Sequence, residues 1–234
     1  MPVAVLASGE GTTAEALIRS GLEGQIGCEV GLVISSNENA GILARVKRVN
    51  DRYGSHIATA CIGRRSHPPV RGESLGPGDQ SLAEVAAIES LLSGGEFQVV
   101  VLMGYLRRVA PSLVNLFGWR DEYTNPYEAQ MLNIHPGPLP ETAGLFGIAV
   151  QRHVLMQGLG RAGHVVHVVA VNYDSGPVVF EHRTPVLSCD TPETLFERIK
   201  LLQREHVPAV VDAFATGRRH YLAARSARHQ LGAV

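Results

Sequence analysis

The chain has 234 residues, 45% apolar and 18% charged, with 25 Gly and 13 Pro. That composition excludes a disordered or fibrous chain and is long enough to bury a large core. With 21 Lys and Arg against 22 Asp and Glu, the net charge is −1, which argues against a broad nucleic-acid surface or a polybasic membrane anchor.

The first segment, Met1-Pro2-Val3-Ala4-Val5-Leu6, lacks the basic start and long apolar stretch of a secretion signal. It reads as a strand, Val3–Ala7, running into the Gly-rich Ser8–Thr13. Thr13–Ser20 is helix-like, with Gly21 as its stop. Val30–Ile34 is a second buried strand; Asn37–Ala40 leads into a helix to about Tyr53, closed by Gly54. A short third strand falls near His56–Ala60. Gly63–Asp79 is rich in Pro, Gly and Arg without periodicity, and is expected to be a mobile loop. Ser81–Leu92 has helical spacing. Phe97–Met103 is nearly all apolar, as a strand covered on both faces requires.

Gly118–Gln130 reads as a polar connection, Met131–His135 as a strand and Ala149–Gln157 as a helix. Val165–Val171 and Val178–Val186 are strands joined by a tight turn, hence an antiparallel pair. Asp190 or Thr191 caps a long helix with Pro192 in its first turn, running to about Thr216. Pro208 is expected to kink or break it, and residues beyond Leu222 to fray. No repeat or linker divides the chain. The expected fold is α/β, a single domain over residues 1–222 followed by a tail, 223–234. Its sheet is doubly wound and mostly parallel, with an antiparallel edge pair. Cys28, Cys61 and Cys189 are widely spaced and contain no Cys-x-x-Cys, so they read as small buried hydrophobes of a cytoplasmic protein.

Four segments carry candidate chemistry. Ser8-Gly9-Glu10-Gly11-Thr12-Thr13 joins the first strand to the first helix. Glycines allow close backbone approach there, and the helix start offers free N–H groups to a phosphate. Gly9, Gly11 and Ala14 also fit the dinucleotide pattern. However, the second strand ends in Ser35-Ser36-Asn37 with Glu38 late, so a monophosphate is favoured over NAD. Asn133 and His135 lie two apart on one strand and share a face at its carboxyl end. An amide beside an imidazole suits a developing oxyanion and a moving proton. Asn172-Tyr173-Asp174-Ser175-Gly176-Pro177 is an ordinary turn, or a loop bringing the Asp174 carboxylate to His135 and raising its pKa. In Gly104-Tyr105-Leu106-Arg107-Arg108-Val109, glycine lets backbone approach a flat ligand, and an Arg suits an acidic tail.

Together and in this order, these segments resemble the 10-formyltetrahydrofolate-dependent formyltransferase family, from Met1 to about Leu222. The likeness includes Ser36-Asn37-x-Asn39-Ala40-Gly41, His167 seven residues before Asp174, and Gln203-x-Glu205-His206. Gly11-Thr12-Thr13 points to the glycinamide ribonucleotide branch. The resemblance implies the formyltransferase fold and the following roles. Gly11, Thr12, Thr13 and Glu205 bind the ribonucleotide. Leu106, Arg107, Arg108 and Val109, with Asn133, bind the folate. Asn133, His135 and Asp174 carry out direct transfer of the formyl group to an amine, without metal.

The family usually follows its His-Pro segment with a basic or aromatic residue and then Gly-Leu-His-x-His. Here Glu141-Thr142-Ala143-Gly144-Leu145-Phe146-Gly147 stands instead. Its usual Arg is Gln80-Ser81, with Arg64, Arg65 or Arg71 as substitutes from the loop. Partners are expected to be small molecules only, with neither nucleic acid nor membrane, and the assembly a monomer or homodimer. Another formyl acceptor, water included, and a non-catalytic folate or nucleotide module stay open.

Overall fold

The computed structural model describes residues 1–231, with side chains to residue 227. Among these residues seven strands form one sheet: β1 (Pro2–Ala7), β2 (Glu29–Ser35), β3 (Ala58–Cys61), β4 (Val99–Leu102), β5 (Met131–His135), β6 (Arg161–Val168) and β7 (Val178–Pro185). Their order is β3-β2-β1-β4-β5-β6-β7. The first five are parallel, while β6 and β7 each run antiparallel to the preceding strand.

A parallel sheet has two apolar faces to cover. On one face, α1 (Thr12–Leu22), α2 (Gly41–Tyr53) and α6 (Pro192–Leu231) bury Leu17, Ile42, Val46, Val211 and Phe214 against Val3, Val5, Val33, Val101 and Leu132. On the other, α3 (Leu82–Gly94) and α4 (Pro111–Phe117) pack Ile88, Leu92, Leu113 and Phe117 against Leu6, Leu32, Val100 and Met131. The remaining helix, α5 (Ile148–Met156), joins α6 and β6 through Val154, Leu195, Ile199 and Ala162.

Local chemistry sets the helix ends. Ser81 and Glu84 form a reciprocal capping box at the start of α3. Gly54 closes α2 in the left-handed region, φ 65°. Thr191, rather than Asp190, caps α6, its Oγ1 accepting from the Thr194 N–H at 3.2 Å. Asp190 accepts instead from the Leu187 N–H and pairs with Arg198.

The α/β reading holds, with several differences in detail. Gly21 does not stop α1, which runs on to Leu22. Helix α4 was not foreseen; its apolar contacts at Leu113, Val114 and Phe117 fall in a stretch too short to show a period. Strand β6 ends at Val168, before the segment Val169–Val171. The expected break at Pro208 does not occur, and α6 is continuous through it. Buried Leu195, Ile199 and Val207 before the proline, and Val211, Phe214 and Ala215 at and beyond the next turn, hold both halves to the core and offset the lost backbone bond.

Nor does the chain fray after Leu222: α6 continues to Leu231, and Arg225 pairs with Glu128 at 2.7 Å. Residues 232–234 of the expected tail lie outside the described residues. Of the cysteines only Cys28 is buried; Cys61 is partly exposed and Cys189 exposed, because their positions at a strand end and in a surface turn have no core to enter.

Candidate active site

In a sheet of this order, neighbouring parallel strands β1 and β4 send their connections away in opposite directions, which opens a crevice at their carboxyl ends. The loop after β1 and the loop after β4 meet there. Ser8 N–H donates to the Gly104 carbonyl at 3.1 Å, and Leu106 N–H donates to Ser8 Oγ at 2.9 Å. Gly11 is the N-cap of α1 with φ 70°, and among the described residues no side chain caps the first turn. The early N–H groups beside Thr12 and Thr13 thus face a half-open surface. A Cβ on Gly11 would stand 2.5 Å from Ile42 Cδ1, so both conformation and space demand glycine. Arg45, on α2, bonds the Glu10 carbonyl at 2.7 Å and pairs with Glu15, offsetting acidic charge beside this loop.

Next along the sheet, β5 delivers Asn133 and His135. Antiparallel pairing sets Asn133 opposite His167 of β6, and the β6–β7 connection folds back to bring Asp174 onto all three. Asp174 takes φ 51°, a left-handed conformation that Asp tolerates better than most residues. Its Oδ2 lies 3.5 Å from His135 Nδ1 and accepts the Gly144 N–H at 2.8 Å. Its Oδ1 lies 3.2 Å from His167 Nε2 and accepts from Asn133 Nδ2 at 3.3 Å. His167 Nδ1 donates to the Val168 carbonyl at 2.9 Å, which can only accept. In neutral His167 the free Nε2 therefore accepts from Asn133 Nδ2, at 3.0 Å. His135, His167 and Asp174 are all nearly buried. The far nitrogen of His135, Nε2, is 2.8 Å from Thr142 Oγ1.

The electrostatics differ from expectation in one respect. Asp174 was expected to raise the His135 pKa. Burial and the neighbouring charge of His167 outweigh the Asp174 carboxylate, and the pKa of His135 lies below its ordinary value. Burial works against the Asp174 carboxylate as well. The contact with His167 at 3.2 Å, the charge of His135 and the Gly144 N–H prevail there, and the carboxyl is held below its usual range. The site thus rests as a carboxylate beside the His135 imidazole, which takes a proton reluctantly.

The other expected residues fall around this cluster. Arg107 turns inward. Its guanidinium binds Glu84 at 3.1 and 2.6 Å and also bonds the Asp79 carbonyl, so it is spent on structure rather than open to an acidic tail. Arg108 is exposed and stacks 5.3 Å over the Tyr173 ring, linking the β4 loop to the loop that bears Asp174. Backbone N–H groups of Leu106 and Arg108 are taken by Ser8 and Gly78, which fixes the Leu106–Val109 segment against the crevice. Gln80 bonds the Tyr105 hydroxyl and the Ala110 N–H. Arg64 bonds the Gly76 carbonyl, and Arg65 pairs with Glu38.

Glu205 lies outside the Asn133 cluster, exposed on α6 one residue before His206, with its charge acting on His182. Sequence reasoning assigned no role to His167 or Thr142. The first had a signal, its spacing from Asp174 on the strand beside Asn133. The second had none, because a Thr in a loop is unremarkable until the loop folds over a histidine. Among the described residues no group of three His, Cys, Asp or Glu is placed to hold a metal ion.

Residues 1–211 match the family described as formyl transferase. Over 218 residues the chain is 28% identical to the phosphoribosylglycinamide formyltransferase of Escherichia coli, covering 93% of this chain and 89% of that one. It is 29% identical to the trifunctional purine biosynthetic protein adenosine-3 of Gallus gallus over 92% of its own length, but spans only 18% of that protein. Among solved structures, glycinamide ribonucleotide transformylase 1 from Symbiobacterium toebii superposes with a TM-score of 0.73 at 31% identity, covering 93% of this chain and 88% of that one.

Proposed function

We propose, from the premise that this chain belongs to the formyl transferase family, that it transfers the formyl group of 10-formyltetrahydrofolate to the amine of glycinamide ribonucleotide in purine biosynthesis. The observation that carries this is the convergence of Asn133, His135 and Asp174 beside a crevice with a phosphate-type loop and a backbone ledge on its rim. Relatives at 27–29% identity along most of this chain are named for that reaction or that pathway.

The amine lone pair attacks the formyl carbon, and the carbonyl π pair moves to oxygen. Collapse re-forms the carbonyl and breaks the bond to the folate nitrogen. One proton leaves the attacking amine and one arrives on the departing nitrogen, so none is consumed. Asn133 donates to the oxyanion, giving up its 3.3 Å bond to Asp174, the longest it makes. His135 carries the proton, and Asp174 holds the imidazole and stabilises it when charged.

Gly11, Thr12 and Thr13 hold the phosphate at the start of α1, and Glu205 reaches the ribose or glycinamide side. The backbone of Leu106–Val109 holds the pterin, with the Asp174 loop closing on it; the inward Arg107 supports that ledge from behind. Residues 1–222 form the catalytic domain, acting on small molecules in the cytoplasm as a monomer or homodimer, without nucleic-acid or membrane partners.

The test mixes the protein with glycinamide ribonucleotide and 10-formyltetrahydrofolate and follows folate deformylation by absorbance. Turnover that requires the ribonucleotide is expected. Its absence beside an active control overturns the reading. The altered stretch Glu141–Gly147 favours one alternative, a different acceptor. Water and amino-sugar nucleotides in the same assay separate that case.

A further inference from the structure

The stretch Glu141–Gly147, where the sequence leaves the family pattern, wraps around the histidine at the centre of the site. Thr142 is fully buried. Its hydroxyl has one proton, and the Pro138 carbonyl, 2.6 Å away, can only accept it. The same oxygen lies 2.8 Å from His135 Nε2. With its proton spent on Pro138, Thr142 Oγ1 can only accept from the imidazole, so Nε2 must carry hydrogen. Two residues on, the Gly144 N–H grips Asp174 Oδ2, the oxygen that faces the other imidazole nitrogen. One short loop therefore holds both partners, from opposite sides.

We propose that Thr142 is a positioning residue that locks neutral His135 in the Nε2–H tautomer and leaves Nδ1, facing Asp174, as its only basic nitrogen. The charged and titratable groups facing His135 are Asp174 from the β6–β7 loop and His167 from β6. With its proton on Nε2, neutral His135 points a lone pair at a carboxylate oxygen 3.5 Å away, an arrangement that improves when a proton arrives between them. During formyl transfer the ammonium formed by attack gives one proton to Nδ1, where Asp174 stabilises it. The same proton then passes to the departing folate nitrogen. Without the Thr142 acceptor, neutral His135 would place its proton on Nδ1 against Asp174, and the base would face away from the carboxylate.

The kinetic part of this inference rests on the proposed formyl transfer, whereas the tautomer does not. The experiment uses the full chain labelled with nitrogen-15 histidine. His135 ring resonances are assigned by their loss in His135→Gln and followed through a pH titration. Wild type is expected to show a protonated Nε2 and a bare Nδ1 in the neutral form. Thr142→Ser is expected to keep that pattern, and Thr142→Val to lose it. In the transfer assay Thr142→Val is expected to lower kcat about ten- to a hundredfold, the range for removing one buried hydrogen bond, with KM little changed. Thr142→Ser is expected to restore most of the rate, and only Thr142→Val to shift the pH profile.

Neutral wild-type His135 with its proton on Nδ1 overturns the proposal, whether or not Thr142→Val folds. So does a Thr142→Val protein with unchanged tautomer and rate. A wild-type protein with the Nε2–H pattern but no formyl transfer would overturn the functional reading and leave the tautomer assignment standing.

Discussion

Replacing Asp174 with Asn tests the site most directly, because it removes charge and leaves shape. Asn accepts the left-handed backbone conformation, φ 51°, as readily as Asp, so the loop is not strained further. What changes is electrostatic. A unit negative charge 3.5 Å from His135 Nδ1 attracts an imidazolium by about 5 kcal/mol at an effective dielectric of about 20.

The exchange also costs hydrogen bonds. The carboxylate accepts from the exposed Gly144 N–H and the part-buried Asn133 Nδ2 at once, whereas an Asn amide has one accepting oxygen, so one of these donors loses its partner. Loss of the charge that stabilises the proton carrier sets the expected fall in turnover at a hundredfold or more. The pH profile gives the sign. Asp174 raises the His135 pKa against burial, so its removal drops that pKa further. The acidic limb of kcat/KM, measured by folate deformylation from pH 5 to 9, is expected to move to lower pH. Turnover within about threefold of wild type, or a limb displaced upward, would refute the assignment of Asp174 to His135.

Three further outcomes are expected. Arg107→Met strands the fully buried Glu84 carboxylate and should cost about 3–5 kcal/mol in urea denaturation, while Arg107→Met with Glu84→Leu recovers most of it; a loss below about 1 kcal/mol would show the pair idle. Gly11→Ala forces a Cβ to 2.5 Å from Ile42 Cδ1 at φ 70°, so the melting temperature should fall and KM for the ribonucleotide rise more than kcat falls; unchanged KM would separate this loop from the phosphate.

His164 is fully buried, neither ring nitrogen has a hydrogen-bond partner among the described residues, and burial, then the charges of His206 and His182, push its pKa down to about 4. It stays neutral in the folded protein while the unfolded chain takes up a proton near pH 6.5. Stability should therefore fall as pH drops from about 6.5 to 4, by up to about 3 kcal/mol. His135 and His182 add slope of the same sign, and His164→Val should flatten the curve in part; an unchanged slope would assign the acid sensitivity elsewhere.

Much of this protein is legible in one dimension. Apolar runs announce the parallel strands, because a strand covered on both faces needs no polar residue; Met131–His135 is bounded in the structure as in the sequence. Asn133 and His135 share a face because strand side chains alternate, and Gly11 marks the first loop because the conformation there excludes a Cβ. Tertiary contact decided the rest. Pro208 is tolerated because α6 is nailed down on both sides of it, which no local propensity encodes. Arg107, a plausible ligand for an acidic tail, is instead consumed by a Glu buried 23 positions away. His167 and Thr142 join His135 only when an antiparallel strand and a returning loop close around it. Composition and period record what each residue offers; the proton affinity of His135 depends on how much water is excluded and which charges arrive, and those are properties of the packed state.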